Sequence, residues 1–170
     1  MKTDYFVVDV EAHYDSPCPN LHYNKGMTEF GCVWINEPLE AFHGIFNGRE
    51  KAEYKSQVSR ITTVVSKDWP TIVMPEFKEW LLKRSTSPRF ISDNNGYDWQ
   101  FINWEFWSIC GINPFGHSST NLGSLYKGME KNVRVNFKHL RDTKHTHNPV
   151  DDCVGNVEAF MKMITRGLII

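Results

Sequence analysis

Long apolar runs are missing from this 170-residue chain. No stretch approaches the roughly 18–20 consecutive apolar residues that a membrane-spanning helix needs. The N-terminus reads directly into strand-like sequence without the pattern of a secretory signal, so a cytoplasmic protein without a membrane partner is expected. Cysteine is sparse: Cys18, Cys32, Cys110 and Cys153 are scattered and form no Cys-x-x-Cys. That argues against a disulfide framework or a zinc knuckle and leaves reduced thiols as the default. A zinc site on Cys18 and His22 would need distant ligands, and the spacings fit no closed zinc site. An excess of one charge is also absent. Lys plus Arg number 19 and Asp plus Glu 20, for a net charge of −1, so bulk charge does not make the chain a polyanion binder; only a local basic patch could. There is no internal repeat and no low-complexity tract.

What is present is a globular composition, 41% hydrophobic and 14% aromatic. It suits one domain spanning residues 1–170 with a sizeable core. The most informative stretch is Tyr5-Phe6-Val7-Val8-Asp9-Val10-Glu11. Its length and β-branched content are those of a buried strand, with apolar residues at both parities. Residues i and i+2 of a strand share a face, so Asp9 and Glu11 point the same way. Two like charges at the end of a core strand repel and are costly to desolvate. A divalent cation on oxygen ligands would relieve both penalties; simple solvation at a strand end would relieve them too.

Strands are also expected over Phe30 to Ile35 and near Phe42 to Phe46, giving an antiparallel meander beside the first. The polar stretch Arg49 to Ser66 reads as helix. Pro75 opens a helix whose core stripe is Phe77, Trp80 and Leu81. Arg89 to Ser92 reads as a short buried strand, followed by an Asn-Asn-Gly turn and a helix rich in large apolar residues. Asp98 falls in that helix's first turn, where it either complements the dipole or presents a third carboxylate at the rim of the sheet. Thr120 or Asn121 caps a helix carrying Leu122, Leu125, Tyr126 and Met129. Between Lys127 and Lys144 basic residues outnumber acidic ones, either a solvated face or a polyanion surface. Asn148 and Pro149 are a good N-cap and first residue for a last helix to about Arg166. Its stripe is Cys153, Val157, Phe160, Met161, Ile164 and Leu168. Asp152 lies at the inner edge of the first turn of this helix, and Asp151 is expected to lean toward solvent.

Three motifs then stand in order: Asp9-x-Glu11, Asn94-x-x-Tyr97-Asp98 and His147-x4-Asp152. Together they resemble the exonuclease motifs of the DEDD superfamily of 3′–5′ exonucleases, which includes polymerase proofreading subunits, RNase T and oligoribonuclease. His147 stands five residues before the last Asp, as in the histidine branch (DEDDh). The resemblance runs from residue 5 to about 166 and is greatest to small stand-alone bacterial or phage exoribonucleases. It implies an RNase H-like α/β fold, a mixed sheet of about five strands with helices on both faces. Residues Arg134 to Phe137 are the candidate for the remaining strand. The segment Trp104 to Gly128 aligns with no particular relative.

What the resemblance implies for chemistry is specific. Asp9, Glu11, Asp98 and Asp152 would hold two divalent cations, Mg²⁺ or Mn²⁺. His147 would take the proton from the attacking water as general base, with His145 of lesser importance. The product would be a nucleoside 5′-monophosphate from the 3′ end of single-stranded RNA or DNA, RNA being favoured. His13 and Asn94 flank the first two motifs and would touch the terminal nucleotide, while Trp and Phe side chains offer stacking platforms. A 3′–5′ exodeoxyribonuclease and a catalytically weak nucleic-acid-binding module on the same fold are the alternatives, and a homodimer stays open.

Overall fold

The computed structural model of the chain describes residues 4–12, 26–46, 54–66 and 71–170. His13, Cys18 and His22 lie outside the described residues. In chain order the elements are β1 (Tyr5–Ala12), β2 (Met27–Trp34), β3 (Glu40–Phe46), β4 (Arg60–Ser66), α1 (Val73–Leu82), β5 (Arg89–Ser92), α2 (Asn95–Glu105), β6 (Ser119–Asn121), α3 (Leu122–Met129) and α4 (Pro149–Thr165). A π-helical turn, Phe106–Cys110, extends α2, and Gly111 ends it at a φ of 64°. Among the described residues no helix is long and apolar enough to cross a membrane.

The strands form one mixed sheet in the order β4-β3-β2-β1-β5-β6. β1, β2 and β3 are the antiparallel meander; β5 runs parallel to β1 and β6 parallel to β5. This α/β arrangement is consistent with an RNase H-like fold. Both faces of the sheet are covered. Phe6, Val8 and Val10 enter one core with Phe77, Trp80, Phe101 and Ile102 of α1 and α2. Val7 enters the other with Val150, Cys153, Val157 and Phe160 of α4, and with Leu122 and Tyr126 of α3. A strand so enclosed must be apolar at both parities, which is why β1 is a continuous apolar run until it reaches the sheet's end.

The sheet departs from the expected one at both edges. Arg60–Ser66 is a strand, not part of a helix, and pairs in parallel with β3 along its whole length. Five consecutive β-branched residues, Ile61 to Val65, favour an extended chain. Their polarity reflects an edge position that leaves most of them accessible. Arg134 to Phe137 is not a strand: the segment is turn and coil, with Val133 80% exposed. The strand beyond β5 is instead the three-residue β6, which includes the residues read as the cap of the next helix. Along α4 the buried face is turned relative to the expected stripe. Met161 is exposed, whereas Asp151, Asp152, Asn156 and Ala159 are buried with Val150, Cys153, Val157 and Phe160.

That rotation follows from how α4 meets the sheet. Asn148 caps the helix, its side chain accepting from Val150 N–H at 3.0 Å and from Asp151 N–H at 3.4 Å. Pro149 then lies directly over Gly31 of β2. A Cβ on Gly31 would collide with the Pro149 carbonyl and come within 2.7 Å of Val150 N. Gly31 is also the cross-strand partner of Asp9. The missing side chain therefore lets the first turn of α4 settle beside Asp9. Gly31→Ala should accordingly lower stability by about 1–3 kcal/mol, as overpacking does. Gly96→Ala, where a Cβ meets nothing within 4 Å, should be neutral or slightly stabilising. Denaturant midpoints of the two variants check this ranking.

Candidate metal centre

Three element ends bring carboxylates together. β1 supplies Asp9 and Glu11 on the face shared with Val7. The β5–α2 junction supplies Asp93 and Asp98, and the first turn of α4 supplies Asp152. Side-chain oxygens of Asp9, Asp93 and Asp98 lie within 4.8 Å of one another, and so do oxygens of Asp9, Glu11 and Asp152. The two groups share Asp9. β1 and β5 are parallel with Val7 opposite Ile91. Asp9 and Asp93 each stand two residues further on, so the register itself puts them at one level.

The cluster is electrically strained. Asp9 has its carboxyl held well above the usual range by burial first, then by Asp98, Asp93, Asp152 and Glu11. Asp98 is pushed up to about 8, again mainly by burial; a nearby Ser92 hydroxyl eases the shift and Asp93 adds to it. One Asp98 oxygen accepts from Val10 N–H at 3.2 Å. The other, Oδ2, is buried with no well-directed hydrogen-bond partner. A 2% exposed carboxylate with one oxygen unpartnered inside a group of like charges is costly unless a cation compensates it. All-oxygen donor sets suit hard divalent ions such as Mg²⁺ or Mn²⁺. The site's chemistry therefore fits the cation that the motifs imply.

Asp152 is fixed from the other side. Its two oxygens accept from Thr146 N–H and His147 N–H, each at 3.1 Å, and His145 Nδ1 lies 2.9 Å from Oδ2. His147 takes a φ of 58°, a left-handed conformation uncommon for a residue other than Gly, Asn or Asp. Its ring is 76% exposed, with Nδ1 3.6 Å from Glu11 Oε1, and the two imidazole centroids are 4.3 Å apart.

The structure thus brings Asp9, Glu11, Asp98, Asp152 and His147 into one place. Asn94 stands exposed at the N-cap of α2, where its backbone carbonyl takes the Tyr97 and Asp98 N–H groups and its side chain makes no capping bond. Two expectations are corrected. Asp151 does not lean toward solvent: it is fully buried and accepts from Lys55 N–H at 2.8 Å, Ser56 N–H at 2.9 Å, the Ser56 hydroxyl and the Thr146 hydroxyl. His145, expected to be of lesser importance than His147, touches Asp152. The aromatic side chains are mostly core, and the half-exposed Trp104 and Trp107 lie six and nine residues along the helix from Asp98, about 9 and 13 Å at the α-helical rise. Asp93, between the strand Arg89–Ser92 and the Asn-Asn-Gly turn, belongs to none of the three motifs. The signal for it was its place just beyond a buried strand that runs parallel to β1.

With the geometry in view, comparison with known proteins adds one relationship. No protein-family profile matches the chain. A stretch of 63 residues is 36% identical to the 3′–5′ DNA exonuclease Cap18 of Escherichia coli, covering 35% of this chain and 34% of that relative. The match spans about a third of the relative's length. The similarity ties the chain to 3′–5′ exonucleases as a class and carries no information on the histidine branch.

Two predictions follow from the electrostatics. An acid whose pKa is raised on folding keeps its proton while the unfolded chain has released it, so stability falls as pH rises between the unfolded and folded values. For Asp98 that interval runs from about 4 to about 8. In EDTA the melting temperature should therefore drop from pH 5 to pH 8, the increase in melting temperature produced by Mn²⁺ should grow over the same interval, and Asp98→Asn should flatten the slope. A pH-independent Mn²⁺ effect would contradict this. Asp151→Asn places an amide N–H₂ against donors, and should cost about 1–3 kcal/mol of stability with or without Mn²⁺, as chemical denaturation would show.

Proposed function

We propose that the protein is a metal-dependent 3′–5′ exonuclease of the histidine branch that removes nucleoside 5′-monophosphates from single-stranded ends. The observation that carries this reading is the pair of oxygen donor groups sharing Asp9, with the His147 ring beside Glu11. The similarity to a 3′–5′ exonuclease supports it independently.

Asp9, Glu11, Asp98 and Asp152 would hold the divalent cations, which supply charge stabilisation at the reacting phosphate and a lowered pKa for the attacking water. Bound cations would favour the ionised form of Asp98 and Asp9, which burial and neighbouring carboxylates otherwise disfavour. Glu11 is only partly buried and keeps the cluster open to the substrate. His147 would take the proton from the attacking water: its ring is solvent-accessible and stands beside Glu11, and imidazole is the side chain most often used as a general base. Asp152 orients that histidine through the backbone, since its carboxylate holds the His147 N–H. Asn94 is exposed at the start of α2, free to contact the terminal nucleotide.

Resemblance to stand-alone exoribonucleases favours RNA. The DNA substrate in the relative's name makes an exodeoxyribonuclease the second reading. Purified protein with Mg²⁺ or Mn²⁺ should shorten 5′-labelled single strands stepwise from the 3′ end, faster than matched duplexes and faster on RNA than on DNA. EDTA should stop it. Asp9→Asn and His147→Ala should each lose at least about a hundredfold in rate, in keeping with the usual weight of general base catalysis, and His147→Ala should still bind Mn²⁺. Cleavage of a circular single strand would contradict the exonuclease assignment, and faster DNA digestion would select the second reading.

A further inference from the structure

Arg141 is a buried cation beside the site. Its side chain is 5% exposed, and its Nη2 lies 3.0 Å from Asp93 Oδ2 while also donating to Asn156 Oδ1. The guanidinium sits over the Phe137 ring at 5.5 Å, and Gly155 leaves room for its aliphatic stem, which a Cβ there would crowd at 3.1 Å. Arg141 Nε and Nη1 and Asn156 Nδ2 are buried without hydrogen-bond partners. The charged partner among these contacts is the Asp93 carboxylate. Keeping a guanidinium in so poor a hydrogen-bonding environment points to a requirement for its charge and plane at Asp93.

Asp93 in turn belongs to the donor group with Asp9 and Asp98, and the buried Asp98 Oδ2 of that group lacks a partner. Asp93 is near enough to raise the carboxyls of both Asp9 and Asp98. Asp9, Glu11, Asp93, Asp98 and Asp152 with Arg141 carry a net of four formal negative charges, the charge that two divalent cations neutralise.

We infer that Asp93 is a fifth carboxylate of the metal centre and that Arg141 is its positioning residue, holding Asp93 so that the group with Asp9 and Asp98 can take up a divalent cation. This rests on the proposed metal-dependent function. The motifs identify neither residue, because Asp93 sits in a turn and Arg141 in a basic stretch otherwise exposed to solvent.

Calorimetric titration of the metal-free full-length protein with Mn²⁺ tests it. Asp93→Asn should weaken the affected site at least tenfold. Arg141→Met should weaken it about fivefold or more, although it removes a repelling positive charge. Arg141→Lys, which keeps the charge but not the planar fork, should fall between Arg141→Met and wild type. The double variant Asp93→Asn/Arg141→Met should bind no more weakly than Asp93→Asn alone, since residues acting through one contact are not additive. Melting temperatures in EDTA separate loss of fold from loss of affinity. Tighter Mn²⁺ binding by Arg141→Met, additive effects in the double variant, or wild-type affinity in Asp93→Asn would overturn the inference while leaving the proposed function standing. Absence of Mn²⁺ binding by the wild type would overturn both.

Discussion

Carboxylate crowding at the end of β1 is the constraint on which the rest of this structure depends. Asp9 sits at the junction of two acidic groups, buried, with like charges on every side. A folded chain tolerates such an arrangement only by protonation or by cations. Protonation would leave a set of neutral carboxyls whose stability cost grows toward neutral pH. Divalent cations would convert the same repulsion into binding energy, and the partly exposed Glu11 would leave them a way in.

Several devices in the fold exist to hold that cluster together. Gly31 leaves out a side chain that would collide with the start of α4 beside Asp9. Asn148 and Pro149 set where the helix begins, and hence where Asp152 points. Asp151 turns the other way and holds the backbone of Lys55 and Ser56 against the helix start. Adjacent carboxylates in one helical turn thus do different jobs: one faces the metal centre, and its neighbour pins a segment distant in sequence. The parallel pairing of β5 with β1 adds Asp93, which an antiparallel neighbour would not have delivered at that level.

Legibility in the sequence followed the range of the interactions involved. The β1 run, the Phe77–Trp80–Leu81 stripe and the Asn148–Pro149 cap could be read because local periodicity or capping chemistry determines them. The placement of Asp9, Glu11, Asp98 and Asp152 at element ends was readable for the same reason, and their order identified the family they resemble. The burial of Asp151 is not legible in the helical wheel because three of its four donors come from Lys55 and Ser56, about a hundred positions away in the chain. Asp93 and Arg141 were missed because their roles depend on the register between β1 and β5 and on one inward-turning arginine. β4 was misread because an exposed edge strand carries little of the apolar pattern that marks a buried one, although its β-branched run was there to see.

The central claim is that this carboxylate cluster is a divalent metal centre organised about Asp9. Anomalous diffraction at the manganese edge from crystals grown with Mn²⁺ tests it most directly. The account predicts two peaks flanking Asp9, one coordinated by Asp93 and Asp98 and the other by Glu11 and Asp152. A map with no peak at Asp9, or with Mn²⁺ bound only elsewhere on the protein, would contradict it.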